Sequence, residues 1–394
     1  MKAGHQHCFL LNAVARRAGG GLTGGLNVCR HLPIVAPEDA FVVLASPGLG
    51  YEDCAAPNVQ VLTFDWPAYG PFKQLRFLNR VVPVLCNQHK ASALFSMGNF
   101  ATLRAPTPQL VLFHKAHFVW DGPLQQILPA FRDRLRHRLE RLYFRYAIRP
   151  CTVAVQTEAM RQSLIHLYGL GPEQVHVVPN APNQAVEPDA VPGELALKMA
   201  ALRRPLRLFY LAVYYPHKNV EILEQVVARL EALGIEDFAV VTTIAPEHGV
   251  RAARFLARMH RHAAPPNPRF LNLGPVPLQQ VPHCFAQSWA CLMPTLLESF
   301  SGTYLEAMSA GCPILTSDRD FAREVCGDAA LYFDPLDAES IVQAILRLRD
   351  EPGLREQLIE AGRRRLQQHL PSWAEVTARY VELLRQIAAA PASF

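Results

Sequence analysis

The chain has 394 residues, half of them hydrophobic, with a net charge of +5 and an isoelectric point near 8.7. That length accommodates two domains with separate cores, the charge is too small for a dedicated nucleic-acid binder, and no apolar run reaches the ~20 residues of a membrane span. Nine cysteines, an odd number without a C-x-x-C pair, exclude a disulfide framework and fit reduced thiols in a cytoplasmic protein. The apolar run 8–15 is short and leads into Arg16-Arg17 and glycines, unlike a signal peptide.

In chain order, residues 8–14 read as a first strand, followed by the glycine cluster 19–25. Gly19, Gly21 and Gly24 satisfy G-x-G-x-x-G, read as a loop before a helix at 26–32. A dinucleotide site also needs an acidic residue closing the second strand. Strand 41–45 ends in Ser46-Pro47, so a nicotinamide cofactor is not predicted. Further units follow: strand 59–64, helix 72–86, strand 93–96, and strand 110–113 leading into His114-Lys115-Ala116-His117 at the strand end. Residues 124–146 form one amphipathic helix, with Leu128, Phe131, Leu135, Leu139, Leu142 and Tyr146 on one face. Arg132, Arg134, Arg136, Arg138, Arg141 and Arg145 crowd the remainder. The apolar face is expected against the core, the alternative being a helix lying on anionic lipid.

Strand 152–156, a helix beginning at Thr157, strand 175–178 and a Pro/Ala/acid-rich connection at 184–193 complete the first half, with the boundary near 203. Strand 206–213 opens the second half and runs into Tyr214-Tyr215-Pro216-His217-Lys218. A lysine at a strand-to-helix turn is well placed to hold a diphosphate; the alternative is a surface lysine opening a helix. Strands 237–242 and 269–274 follow, the latter ending in Leu273-Gly274. Asp318-Arg319-Asp320 spells D-x-D in a loop and is read as structural. Helices at 340–349, 353–369 and 372–389 end the chain.

The most informative stretch is residues 294–313, PTLLESFSGTYLEAMSAGCP. An apolar strand, 289–293, precedes it and another, 313–316, follows, so Glu298 and Glu306 flank a strand-to-helix turn at a sheet's carboxyl edge. Ser301, Gly302 and Thr303 present backbone N–H groups at a helix start, suited to a phosphate. A phosphate between two carboxylates that accept hydroxyl hydrogen bonds describes a nucleotide-sugar, the ribose on one side and the sugar on the other. The alternative is an ordinary βα unit with a surface glutamate and a capping glutamate.

This stretch resembles the E-x7-E signature of GT4-type (group 1) retaining glycosyltransferases; Glu298, Phe300, Glu306, Ala307, Met308, Gly311 and Pro313 all match, while Ser299 and Ser301 replace the usual glycines. The resemblance implies the GT-B fold: an N-terminal Rossmann-like domain at 1–203 on the acceptor side and a C-terminal one at 204–371 on the donor side. A final helix, 372–394, would pack back on the first domain, and the active site would lie in an interdomain cleft. It implies metal-independent transfer, with retention, from a UDP- or GDP-sugar to a glycan or lipid-linked acceptor, commonly in bacterial surface polysaccharide synthesis. No metal ligand, cofactor or nucleic-acid partner is expected. The location implied is cytoplasmic, with peripheral contact at the inner face of the membrane. By the same resemblance His114, with His117 as substitute, contacts the donor sugar, Gly21 faces the cleft, and Gly274 lies near the base. Lys218 matches the lysine of a phosphate-binding Arg–Lys pair whose arginine is here Val213. Two other classes share these residues: a nucleotide-sugar epimerase or hydrolase, and an inactive GT-B binding subunit.

Overall fold

The computed structural model describes residues 5–17, 19–64, 71–182, 193–264 and 267–390, the side chains of 71 and 72 excepted. Most of the connection expected at 184–193 lies outside them. Two compact units partition the chain: 1–119, 135–181 and 371–394 in unit 1, and 120–134 and 182–370 in unit 2. Helix Trp373–Ala389 therefore belongs to unit 1.

Unit 1 is built on seven parallel strands: β1 (Cys8–Asn12), β2 (Ala40–Ala45), β3 (Val59–Thr63), β4 (Ala93–Ser96), β5 (Gln109–Leu112), β6 (Thr152–Val155) and β7 (Val175–Val177), in the order β3-β2-β1-β4-β5-β6-β7. Successive side chains point to opposite faces, and both faces of the central strands are covered, which is why those strands are largely apolar, whereas the edge strand β3 leaves Gln60 and Thr63 exposed. Phe9, Leu11, Phe41, Val43 and Phe95 pack with Trp373 and Tyr380 of the last helix. Leu10, Val42, Leu44 and Leu94 pack on the other side with Phe77, Val82 and Cys86. Arg385 of the last helix also pairs with the fully buried Asp39 at 2.9 Å.

Unit 2 has six parallel strands: β8 (Leu206–Tyr210), β9 (Phe238–Thr242), β10 (Phe270–Asn272), β11 (Ala290–Met293), β12 (Ile314–Ser317) and β13 (Ala330–Phe333), in the order β10-β9-β8-β11-β12-β13. Strand β13 and the helix Val250–Met259 were not anticipated from sequence, while the helix expected after the Lys218 turn is Ile222–Ala232. All nine cysteines are free, eight of them buried.

Two local expectations are corrected. The glycine cluster is not a loop: residues 19–25 are the first turns of helix Gly19–Val35. Glycine serves packing at Gly25, where a Cβ would lie 2.1 Å from the Tyr51 hydroxyl, whereas one at Gly24 would meet the Trp373 ring at an ordinary 3.5 Å. Nor is 124–146 one core-facing helix. It is split into Leu124–Ile127 and Phe131–Ala147, with Pro129 between them. In the longer piece His137, Phe144 and Ala147 are buried, while Phe131, Leu135, Leu139, Leu142 and Tyr146 are exposed. Periodicity identified the stripe but not which way it faces.

Tyr51 is fully buried, so Gly25→Ala is expected to destabilise the protein by about 1–3 kcal/mol through overpacking. Gly21→Ala, whose Cβ would meet Arg16 at an ordinary 3.5 Å, should be neutral or slightly stabilising. Urea unfolding of the two variants checks the contrast, and equal effects would contradict the packing role.

Candidate functional site

Unit 2 reverses its strand order between β8 and β11, which lie side by side and parallel. The loops leaving their carboxyl ends diverge around a crevice, the place where open α/β sheets bind ligands. The two loops, 211–219 and 294–301, are tied together by backbone contacts. The Leu296 N–H donates to the His217 carbonyl at 2.7 Å and the Thr295 hydroxyl to the same oxygen at 3.2 Å. Asn219, left-handed at φ +54°, donates from Nδ2 to the carbonyls of Pro294 at 3.1 Å and Pro335 at 2.7 Å. The Tyr210 hydroxyl, buried at the end of β8, donates to the Lys218 carbonyl at 2.7 Å.

On this frame the Lys218 ammonium donates to Glu298 Oε1, joining two of the predicted residues in one ion pair, each side chain only 15% exposed. A lysine has three N–H donors, so the remaining two can serve an incoming anion. Helix Gly302–Ser309 starts four residues after Glu298. Ser301 occupies its N-cap position with extended backbone but makes no side-chain cap, so its hydroxyl satisfies none of the first-turn N–H groups. A Cβ at Gly302 would enter open space, and its φ is not left-handed. Neither strain nor packing requires glycine there, which leaves room for a ligand close to the backbone. Glu306 is half-buried one turn on, and Thr303 is half-buried. The buried Cys291 thiol is pushed well up, first by burial and also by neighbours including the Glu306 carboxylate. The Tyr304 hydroxyl meets Thr316 Oγ1 at 2.8 Å, and Thr316 donates to the Met293 carbonyl, fixing the helix to β11 and β12.

Other predicted residues are elsewhere on the same edge or in unit 1. Gly274 follows β10 in a left-handed turn, φ +68°, on the far side of β9 from β8. Val213 is exposed, and Tyr215 stacks on the His217 ring at 5.4 Å. Gly21 lies in helix Gly19–Val35, its carbonyl accepting from Arg16 Nη1 at 3.1 Å. His114 follows β5 and is clamped by Asn99: the His114 N–H donates to Asn99 Oδ1 at 2.8 Å, and Asn99 Nδ2 lies 3.2 Å from His114 Nε2. Because Asn99 presents its NH2 group to the ring, Nε2 is the acceptor and the proton sits on Nδ1, which is buried without a partner. Burial, then the charges of Arg16 and Lys115, hold its pKa well below the usual histidine range, so the ring is neutral. His117 is also held down, to about 4, mainly by burial.

Sequence reasoning missed several neighbours. Helix Leu124–Ile127 packs against the Pro216–Lys218 turn, a contact no local pattern announces. Arg16 is a buried guanidinium whose Nε has no partner, and its carbonyl accepts from the Tyr51 hydroxyl at 3.4 Å. In the D-x-D segment Asp318 pairs with Arg323 at 2.5 Å and Asp320 opens a helix, while Arg319 Nε is buried without a partner.

Comparison with known proteins bears on this edge directly. The model of "Glycosyl transferases group 1" matches residues 200–365, a span that contains the crevice, both loops and the helix after them. Over residues 200–365 the chain is similar to the group 1 glycosyltransferases. A curated relative, the Escherichia coli O-antigen chain mannosyltransferase B, is 33% identical over 109 residues, and that match spans only 28% of each chain. Sucrose-phosphate synthase from Thermosynechococcus elongatus superposes with a TM-score of 0.75 at 16% identity, covering 98% of this chain and 100% of that one. HepE from Anabaena, solved with UDP and glucose, gives 0.69 at 15% identity over 97% and 100%. WaaG, a glycosyltransferase involved in lipopolysaccharide biosynthesis, gives 0.68 at 12% identity over 95% and 99%. At these identities the structural likeness establishes the fold, GT-B, and nothing finer.

The Lys218–Glu298 pair is one of the four contacts named above between the two loops. Lys218→Met, Glu298→Gln and the double variant, unfolded thermally, should show a coupling of about 1–2 kcal/mol. Strict additivity would mean that the two side chains do not interact in the folded protein.

Proposed function

We propose that the protein is a retaining glycosyltransferase that moves a hexose from a UDP- or GDP-sugar to a glycan or lipid-linked acceptor in surface polysaccharide synthesis. The observation that carries this reading is the Lys218–Glu298 pair at the strand-order reversal, beside an uncapped helix start, inside the segment matched by the group 1 model. The mannosyltransferase relative favours mannose among the hexoses. Peripheral contact with a membrane belongs to the same reading where the acceptor is lipid-linked.

In this mechanism the leaving diphosphate gains charge as the sugar becomes oxocarbenium-like. Lys218 and the N–H groups at Ser301, Gly302 and Thr303 stabilise that charge, the effect that usually contributes most to such transfers. Glu298 accepts hydrogen bonds from sugar hydroxyls while holding Lys218 in place, and Glu306 accepts from the ribose hydroxyls. The left-handed turn at Gly274 gives the base an edge to lie against. His114 is the residue assigned to the donor sugar in this reading, and its neutral ring avoids placing a second cation beside an oxocarbenium-like centre. The diphosphate oxygen takes the acceptor proton, so transfer proceeds without a metal.

The test is turnover of UDP-glucose and GDP-mannose, with and without an oligosaccharide or polyprenyl-linked glycan acceptor, read as nucleoside diphosphate released. Release is expected for one donor, only with acceptor, unchanged by EDTA, with the anomeric configuration kept in the NMR spectrum of the product. Glu306→Ala should lower kcat/KM by roughly 10–100-fold, the cost of losing hydrogen bonds to a charged acceptor. Acceptor-independent release would point to a hydrolase or epimerase, and nucleotide binding without turnover to an inactive binding subunit.

A further inference from the structure

Unit 1 has a strand-order reversal of its own, between β1 and β4, which lie side by side and parallel. The loops leaving their carboxyl ends run close together. The Met97 N–H donates to the Asn12 carbonyl at 3.1 Å, and a Cβ at Gly98 would lie 3.1 Å from that of Ala15. The Ser46 hydroxyl, following β2, donates to the Val14 carbonyl at 3.0 Å and fixes the same loop from the other side. That loop brings Arg16, only 5% exposed, to this edge of the sheet.

A guanidinium stays charged in proteins, and a buried charge is normally held by an opposite one. Arg16 lacks that partner. Its Nη1 donates to the Gly21 carbonyl at 3.1 Å, its Nε is buried without a partner, and Nη2 has none among the described residues. The groups whose charges act on it are Tyr380, Tyr51 and Cys29. All three are buried, and burial raises their pKa values, so none is an anion at neutral pH. His114 at the same edge is neutral and compensates nothing. The bond to Gly21 adds to the cost, because it holds the cation against the first turn of helix Gly19–Val35, the positive end of the helix dipole. That turn contains no acid. Two positive elements thus converge where no carboxylate of the described residues answers them.

We infer that unit 1 carries an anion site of its own, in which Arg16 receives the phosphate or carboxylate of an acidic acceptor sugar. A guanidinium fork suits either oxyanion, and so do backbone N–H groups at a helix start. Gly20 leaves that start open, since a Cβ there would meet nothing within 4 Å. A neutral sugar would leave the guanidinium uncompensated, so the site discriminates by charge. The donor's diphosphate already has a cation and a helix start in unit 2, at Lys218 and Gly302, which leaves Arg16 to the acceptor. Naming that sugar the acceptor rests on the transfer proposed above; the anion site itself does not.

The experiment is calorimetric titration and thermal unfolding of the full chain with glucose 6-phosphate, glucuronate and glucose, on wild type, Arg16→Met and Arg16→Lys. The wild type is expected to bind one or both acidic sugars at least about tenfold more tightly than glucose, and to gain thermal midpoint with them. Which of the two binds tells a phosphate site from a carboxylate site. Arg16→Met should weaken that binding by roughly tenfold or more, and Arg16→Lys, which keeps the charge but not the fork, by less. Without ligand, Arg16→Met should unfold at the wild-type temperature or above it, because it removes an uncompensated buried charge. Equal binding of glucose, no binding of either acidic sugar, or acidic-sugar binding unchanged in Arg16→Met overturns the inference. A midpoint lowered by Arg16→Met in the absence of ligand marks a structural cation and overturns it too. Titration of the same samples with UDP and GDP keeps the two readings apart. Acidic-sugar binding without nucleotide binding leaves the anion site standing and counts against the transferase. Nucleotide binding lost in Arg16→Met, with no acidic-sugar binding in the wild type, gives the cation to the donor and overturns the inference.

Discussion

The contact between Lys218 and Glu298 is the interaction on which the architecture of unit 2 converges. The two residues come from βα loops that lie far apart in sequence, and they meet because β8 and β11 are neighbours at the point where the strand order reverses. Neither loop could hold its shape alone. The His217 carbonyl accepts from both Leu296 and Thr295, and the Asn219 side chain bridges to Pro294 and Pro335. A charged pair this poorly hydrated is sustained only when its geometry is fixed by surrounding hydrogen bonds. Here the fixing is done by backbone carbonyls, which do not compete with a ligand for the ammonium.

The parallel strands were legible because parallel sheets are covered on both faces and their strands are apolar without interruption. Runs such as 41–45 and 289–293 have no other reading of comparable length. The E-x7-E spacing was legible for a different reason: a strand, a turn and a helix start follow one another within twenty residues, so the local pattern determines where both glutamates lie. Lys218 could be placed at its turn from sequence, but its pairing with Glu298 could not, because that contact depends on which strands become neighbours.

The failures have equally physical causes. A run of glycines disfavours helix on intrinsic propensity, yet helix Gly19–Val35 begins in it, and at Gly25 the Tyr51 hydroxyl comes too close for a larger side chain. That is tertiary packing overriding local preference. Helix Phe131–Ala147 shows the complementary limit. Its stripe was visible as a period, but a period does not say whether the stripe faces protein or something outside it, and here the core takes the face with His137 and Phe144. Asn99, the residue that sets the His114 tautomer, left no signal in sequence, since an asparagine after a strand is ordinary turn chemistry.

The account rests on unit 2 holding a nucleoside diphosphate at the Lys218 turn. Calorimetric titration of wild type and Lys218→Met with UDP and with GDP tests this most directly. Binding of one nucleotide to the wild type, weakened roughly tenfold or more by Lys218→Met, is the predicted result, since a charge-assisted hydrogen bond contributes about 1.5–3 kcal/mol. No binding of either nucleotide, or equal affinity in the variant, would contradict it.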